Sequence, residues 1–193
     1  MTLRPALVLC VCLAGCGTDR VSPAARDAAS TDDAGSLDAG PTATVDGGSA
    51  PGTAVELTYR AHMGTLDRAW LGYHRTAGTI DGLYFEISRG ADDACPSATS
   101  PVPSQIVTVD GFMGAAVATH TEADGVTASF FDFEGTFRSE IPPAMATAAR
   151  VEVTSLDTVV GTVTATVSFT FGGDGTAAGP LSATHCDSLD TGS

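Results

Sequence analysis

The sequence predicts an all-β domain, an antiparallel β-sandwich of about eight or nine strands, preceded by a signal peptide and a disordered linker. Three observations carry this expectation. From Ala54 onward apolar residues recur with period two, the pattern of strands with one buried and one wet face. The alternating runs are short and are separated by Asp-Gly and Gly-rich turn signals. No segment keeps a helical period for three turns.

Taken in order, Val55, Leu57, Tyr59 and Ala61 alternate with Glu56, Thr58, Arg60 and His62, which predicts a first half-buried strand. A second is expected over Ala69–Arg75. In the next, Leu83, Phe85 and Ile87 alternate with Tyr84, Glu86 and Ser88. Further strands are expected over Gln105–Val109, Ala115–Thr119, Val126–Phe133 and Ala149–Thr154. The clearest run is Val159–Phe171, where Val159, Val163, Ala165, Val167, Phe169 and Phe171 share one face and Thr162, Thr164, Thr166, Ser168 and Thr170 the other. It exceeds the usual strand length, so a bulge or bend is predicted near Gly161. Leu181–Cys186 closes the series. Turns are expected at Asp81-Gly82, Asp110-Gly111, Asp124-Gly125 and Gly172–Gly175. Pro142-Pro143-Ala144-Met145 predicts one short helical turn, because Pro suits a first helical position. Strands of this length and spacing argue for a sandwich, with a closed barrel as the alternative.

The whole chain has 193 residues, nine arginines, no lysine and 23 acidic side chains, for a formal charge of −14. Without clustered basic residues to neutralise phosphates, a nucleic-acid partner is excluded. No stretch reaches the roughly 18 apolar residues of a membrane-spanning helix. An outer-membrane barrel is disfavoured because the polar faces are rich in Thr and lack aromatic girdles.

Met1–Cys16 reads MTLRPALVLCVCLAGC: a single Arg4, then an uncharged run from Ala6 to Leu13. This is the layout of a secretory signal, too short for a membrane span. Leu13-Ala14-Gly15-Cys16 resembles the lipobox of bacterial lipoproteins. That resemblance implies cleavage before Cys16 and lipidation of Cys16; an ordinary signal peptide with an incidental Cys is the alternative. Two acyl chains give stable attachment where one is marginal. The pair Cys16-Gly17, lacking Asp in second position, implies by the same resemblance a cell-envelope protein sorted to the outer membrane.

With Cys10 and Cys12 removed in the signal and Cys16 lipidated, Cys95 and Cys186 remain. An even pair in an exported protein predicts one disulfide, two buried thiols being the alternative. Residues 16–53 comprise the Cys expected to be lipidated and a tract built almost wholly of Ala, Asp, Gly, Ser, Thr and Pro, without an aromatic residue. It has too little apolar surface to offset ordering entropy, so a disordered linker is expected, spanning roughly 30 to 37 Å. The predicted organisation is therefore signal peptide 1–15, linker 16–53 and β-sandwich 54–193, the last with six basic and seventeen acidic side chains.

The domain carries little motif chemistry. His62, His74, His120 and His185 form no zinc-protease pair, and no Cys-x-x-Cys survives removal of the signal. His120 and Glu122 are candidate ligands on one strand face, against the simpler reading of a hydrophilic strand end. His62 and His74 are expected in solvent, and His185 as a packed, hydrogen-bonded side chain. Gly-x-Ser-x-Gly is absent from the sequence. Trp70, Tyr73 and Tyr84 are candidates for an aromatic platform, with core or cross-strand packing as the alternative. Phe130-Phe131-Asp132-Phe133 is apolar on both phases and predicts a central strand covered on both sides. Ala94-Cys95-Pro96, Ser100-Pro101-Val102-Pro103 and Ala183-Thr184-His185-Cys186 together resemble a group of small predicted lipoproteins of high-G+C Gram-negative bacteria. No activity attaches to that group, so no functional residue carries over.

The expected function is a lipid-anchored envelope protein acting as a non-catalytic binding or surface module for a protein or glycan ligand. The alternative is a small envelope hydrolase or metal-dependent enzyme using His and carboxylates at strand ends. No catalytic, cofactor-binding or metal-binding residue is assigned and no cofactor is expected.

Overall fold

The computed structural model describes residues 52–140 and 142–192. The predicted signal peptide, the lipidation site Cys16 and nearly all of the predicted linker lie outside them. Among the described residues there are twelve strands, two short 3-10 turns and no α-helix, so the all-β expectation holds.

The strands are β1 (Val55–Tyr59), β2 (His62–Leu66), β3 (Arg68–Thr76), β4 (Thr79–Arg89), β5 (Gln105–Asp110), β6 (Thr119–Thr121), β7 (Thr127–Asp132), β8 (Ala144–Met145), β9 (Ala148–Asp157), β10 (Thr162–Thr170), β11 (Gly175–His185) and β12 (Thr191–Gly192). The hydrogen-bonded path runs β6-β9-β10-β11-β3-β4-β5-β7-β8, with β1 and β12 attached to β11 and β3, and β2 attached to β1. The finer expectation, an antiparallel sandwich, is met only in part. The ladder is one continuous curled sheet, and it is mixed: the end of β11 and all of β12 run parallel to β3. These partners are far apart in sequence, and strand direction across such a crossover is set by the path of the whole chain, which local periodicity does not encode.

The curl brings distant strands face to face. Phe130 on β7 and Phe171 just after β10 have four strands between them along the ladder, yet their ring centroids are 5.9 Å apart. Tyr59 lies at 5.2 Å from Phe130 and joins both. Of the inward residues predicted from period two, Leu83, Phe85, Ile87, Val163, Val167 and Phe169 are buried, whereas Ala61 and Val159 fall in turns and are exposed. A single segment links the sheet's ends. Ala144 and Met145 pair with β7, Ala146 N–H donates to Ala128 and Thr147 N–H to Thr170, and Ala148 onward pairs with β10. The predicted helical turn at Pro142–Met145 is therefore strand, because the backbone donors after the prolines are taken by two sheet partners.

Other differences are local. The first predicted strand folds back at Arg60-Ala61, where both residues have positive φ (47° and 72°) and Tyr59 pairs with His62. This is the geometry of a two-residue hairpin without the usual Asn-Gly signal, which is why alternation alone ran through it. Arg60 is held by ion pairs to Glu140 and Asp174. The next hairpin turns at Ala77-Gly78, and the predicted Asp81-Gly82 turn is instead a bulge inside β4 opposite His74/Arg75. The bend predicted near Gly161 is the turn before β10, where Gly161 has a φ of 76° and Val159 and Val160 are exposed, while a separate register shift falls inside β10 at Thr164/Ala165. The predicted Ala115–Thr119 strand is reduced to β6, starting at Thr119.

Candidate functional site

Outward residues of β3, β4, β5 and β7 form two rows across the sheet. Trp70, Glu86, Thr108 and Ser129 are successive Cα partners, and Arg68, Ser88, Ile106 and Phe131 make the neighbouring row. Partners on adjacent strands lie about 5 Å apart, so each row presents a contiguous strip. Fifteen residues between β4 and β5, Gly90–Ser104, carry no regular structure and pass over this face.

Contacts along its whole length hold that loop. Cys95 and Cys186 sit at disulfide distance, with Cα atoms 5.5 Å apart, as the cysteine count predicted. Arg68 pairs with Asp93 at 2.6 Å, Ser188 Oγ donates to the Pro96 carbonyl, and Ser104 N–H donates to Arg89 at 2.9 Å. Gly90 turns the chain with a φ of 75°, where a side chain would be strained.

Between loop and sheet lies a cleft of about 330 Å³. Trp70 and Ile106 line it from the sheet, Phe131 and Phe133 from β7 and its end, and Pro101, Val102 and Pro103 from the loop. Phe131 and Phe133 are stacked, with centroids 6.0 Å apart and planes 8° from parallel. Phe133 is 57% exposed, and its backbone is fixed by an N–H bond to the Ser104 carbonyl at 3.0 Å. Gln105 Nε2 donates to Asp132 at 3.0 Å, and Asp132 accepts from the N–H groups of Phe137 and Arg138, ordering the turn behind Phe133. Phe131 and Phe133 also wall a second depression of about 260 Å³ with Arg138 and Pro143.

Glu86 is the ionisable side chain among the sheet residues lining the cleft, beside the hydroxyls of Ser88 and Thr108. Burial pushes its carboxyl above the ordinary value, against a hydrogen bond that it accepts from the Tyr84 hydroxyl at 3.0 Å. The Tyr84 phenol is itself driven well up by burial and by the neighbouring Glu86 charge, so it stays a donor. Trp70 Nε1 is buried with no hydrogen-bond partner among the described residues.

The Trp70, Tyr73 and Tyr84 platform does not assemble. Trp70 and Tyr84 are half-buried on the outer face, whereas Tyr73 is 1% exposed in the core, because odd and even strand positions face opposite ways. The aromatic partners of Trp70 in the cleft are Phe131 and Phe133, from β7 and its end, three places further along the ladder. The strand expected to be covered on both sides at Phe130–Phe133 has Phe130 in the core, Phe131 half-buried in the cleft under the loop and Phe133 exposed at the strand's end. The signal was that run's apolar character on both phases, the outer of which lines the cleft.

The histidines fall elsewhere. His120 is buried against Phe112 at 5.2 Å, and Glu122 sits in the following 3-10 turn accepting from Ala149 N–H, so the two share no strand face. His62 is exposed, 5.6 Å from Phe137. His185 is packed as predicted. It stacks on Tyr73 at 4.2 Å, and its Nε2 lies 2.7 Å from Asp190 and its Nδ1 3.4 Å from Asp187. The two ring nitrogens serve different carboxylates, and Asp190 also accepts from Tyr73 N–H and Arg75. These oxygens are already occupied structurally. His74 links Thr191 Oγ1 at Nδ1 to Asp110 at Nε2, the latter at 2.7 Å.

No family model, no curated protein and no solved structure matches the chain. The functional reading therefore rests on the chemistry of the cleft.

Proposed function

We propose that the protein is a lipid-anchored lipoprotein of the cell envelope, attached to the outer membrane through Cys16, whose β domain is a non-catalytic binding module. The observation that carries the binding role is the cleft under the Gly90–Ser104 loop, where Trp70, Phe131 and Phe133 converge on one half-buried carboxylate. Concave, mostly apolar sites with few polar groups are where small ligands bind. The anchor is supported by Leu13-Ala14-Gly15-Cys16 and the polar tract that follows. We read the curled sheet as working like a two-layered sandwich, a reading supported by the Phe130–Phe171 contact across the core.

Two experiments test this. Cys16→Ser should leave an uncleaved precursor where the wild type partitions into detergent; a wild-type chain that is soluble and begins at another residue overturns the anchor. The neutral apolar dye N-phenyl-1-naphthylamine should accept excitation energy from Trp70, the chain's single tryptophan. Phe131→Ser should weaken that signal about tenfold. No energy transfer, or a Phe131→Ser response equal to wild type, overturns the cleft as the binding site.

A second reading, a small hydrolase, is favoured by the Thr191–His74–Asp110 chain, which places hydroxyl, base and carboxylate in the order of a nucleophilic relay. Covalent labelling of Thr191 by a fluorophosphonate, abolished in His74→Ala, would replace the binding reading with this one.

A further inference from the structure

We propose that the cleft is a site for a small, soluble alkylated ammonium compound. The inference rests on the cleft being the binding site and goes further by fixing the charge and size class of the ligand.

Charge comes first. The residues lining the cleft include Glu86 and Asp92 and no arginine or histidine. Among the described residues the ion pairs use Arg60, Arg68, Arg75, Arg138, Arg150, His74 and His185, and none of them pairs with Glu86. A carboxylate removed from water needs compensation. The Tyr84 hydroxyl compensates one oxygen, Oε1, and brings no positive charge. An anionic ligand meets two carboxylates, and a neutral apolar one would complete the burial of Glu86 without a counter-charge. A cation resolves both.

The walls then choose the kind of cation. Trp70 is the Cα partner of Glu86 on the adjacent strand, so indole and carboxylate stand side by side on the outer face. The parallel rings of Phe131 and Phe133 belong to the same cleft. Aromatic faces attract cations through the ring quadrupole, and Trp does so best. Calcium and magnesium take six or more oxygen ligands, mainly carboxylates, carbonyls and water, whereas this lining offers two carboxylates and a few hydroxyls among apolar walls, and it has no His or Cys for zinc. An alkylated ammonium, weakly hydrated and clothed in methyl groups, suits apolar walls and a nearby carboxylate together. At about 330 Å³ the cleft lies at the lower end of the range for small-molecule sites, which favours a compact ligand over a peptide.

The test is a titration of Trp70 fluorescence in the full chain with choline and with its neutral isostere 3,3-dimethylbutan-1-ol. Choline should bind at least tenfold more tightly. Glu86→Gln should remove that preference, weakening choline and tightening the neutral alcohol, whose binding no longer buries an unpaired charge, with circular dichroism and melting confirming that the variant is folded. Asp92→Asn, on the exposed loop, should weaken choline by a smaller factor. Equal affinity for the two compounds overturns the ammonium proposal and leaves the cleft as a binding site. Failure of both compounds while N-phenyl-1-naphthylamine still binds has the same meaning, whereas failure of all three overturns the cleft as well. A response to phosphatidylcholine vesicles without one to free choline would assign a lipid headgroup and overturn the soluble ligand.

Discussion

Trp70 on β3 and Glu86 on β4 are Cα partners, and both side chains line the cleft on the outer face of the sheet. Their adjacency couples the site to the stability of the fold, because burying a carboxylate beside an indole is unfavourable without a cation. A carboxyl whose folded pKa is raised is protonated more readily in the folded than in the unfolded chain. Its ionisation therefore costs stability as pH rises from the unfolded value, about 4.3, through the folded one.

Glu86→Gln is accordingly expected to raise the melting temperature at pH 7 and to leave it nearly unchanged at pH 4. Melting curves of wild type and variant at both pH values check this. A variant less stable at pH 7 would mean that the Tyr84 hydrogen bond outweighs burial.

The Cys95–Cys186 bridge closes a loop of 91 residues, for which the chain-entropy relation gives up to about 4.6 kcal/mol of stabilisation. The Cys95→Ser, Cys186→Ser double variant should lose part or all of this in urea unfolding. Its far-ultraviolet spectrum should still be that of a β protein, while dye binding in the cleft falls sharply, since the bridge fastens the wall formed by Gly90–Ser104. Unchanged dye binding would show that Arg68–Asp93 and Ser188–Pro96 hold the loop unaided.

Asp190 bears on acid stability. Burial pushes its carboxyl up, but hydrogen bonds from His185, Tyr73 N–H and Arg75 outweigh burial and hold it below the ordinary value. A depressed carboxyl pKa contributes stability that is present above the unfolded value, about 3.9, and is lost as pH falls through the folded one. Asp190→Asn should cost about 1 to 3 kcal/mol at pH 7 and flatten the acid limb of the stability profile. Urea titrations between pH 2 and pH 7 measure both effects.

A chain beginning at Pro51 should melt within about two degrees of one beginning at Cys16, because the predicted linker lacks alternating apolar residues to bury. Thr53 must be kept. Its hydroxyl donates to the Ser182 carbonyl at 2.7 Å and accepts from Ser182 N–H at 3.1 Å, tying the chain to β11 ahead of β1. Thr53→Ala should lower stability by about 1 kcal/mol.

The sequence by itself determined the strand class and most of the buried set, because period two reports which side of each strand is wet. Leu83, Phe85 and Ile87 on β4 and Val163, Val167 and Phe169 on β10 are buried as their alternation required. It also determined the cysteine pairing, since one even pair remained once the N-terminal cysteines were set aside. Hairpins without Gly or Asn were not legible: Arg60-Ala61 turns with positive φ because Glu140 and Asp174, distant in sequence, hold Arg60. Only the tertiary structure decided the site. Trp70 and Glu86 face each other across the local β3–β4 hairpin, but Phe131 comes from β7, which joins them only through β5, and the loop that covers them is fastened by a cysteine 91 residues away. Period two assigns each residue to a face; which faces become neighbours, and what lies over them, depends on contacts that the local pattern does not carry.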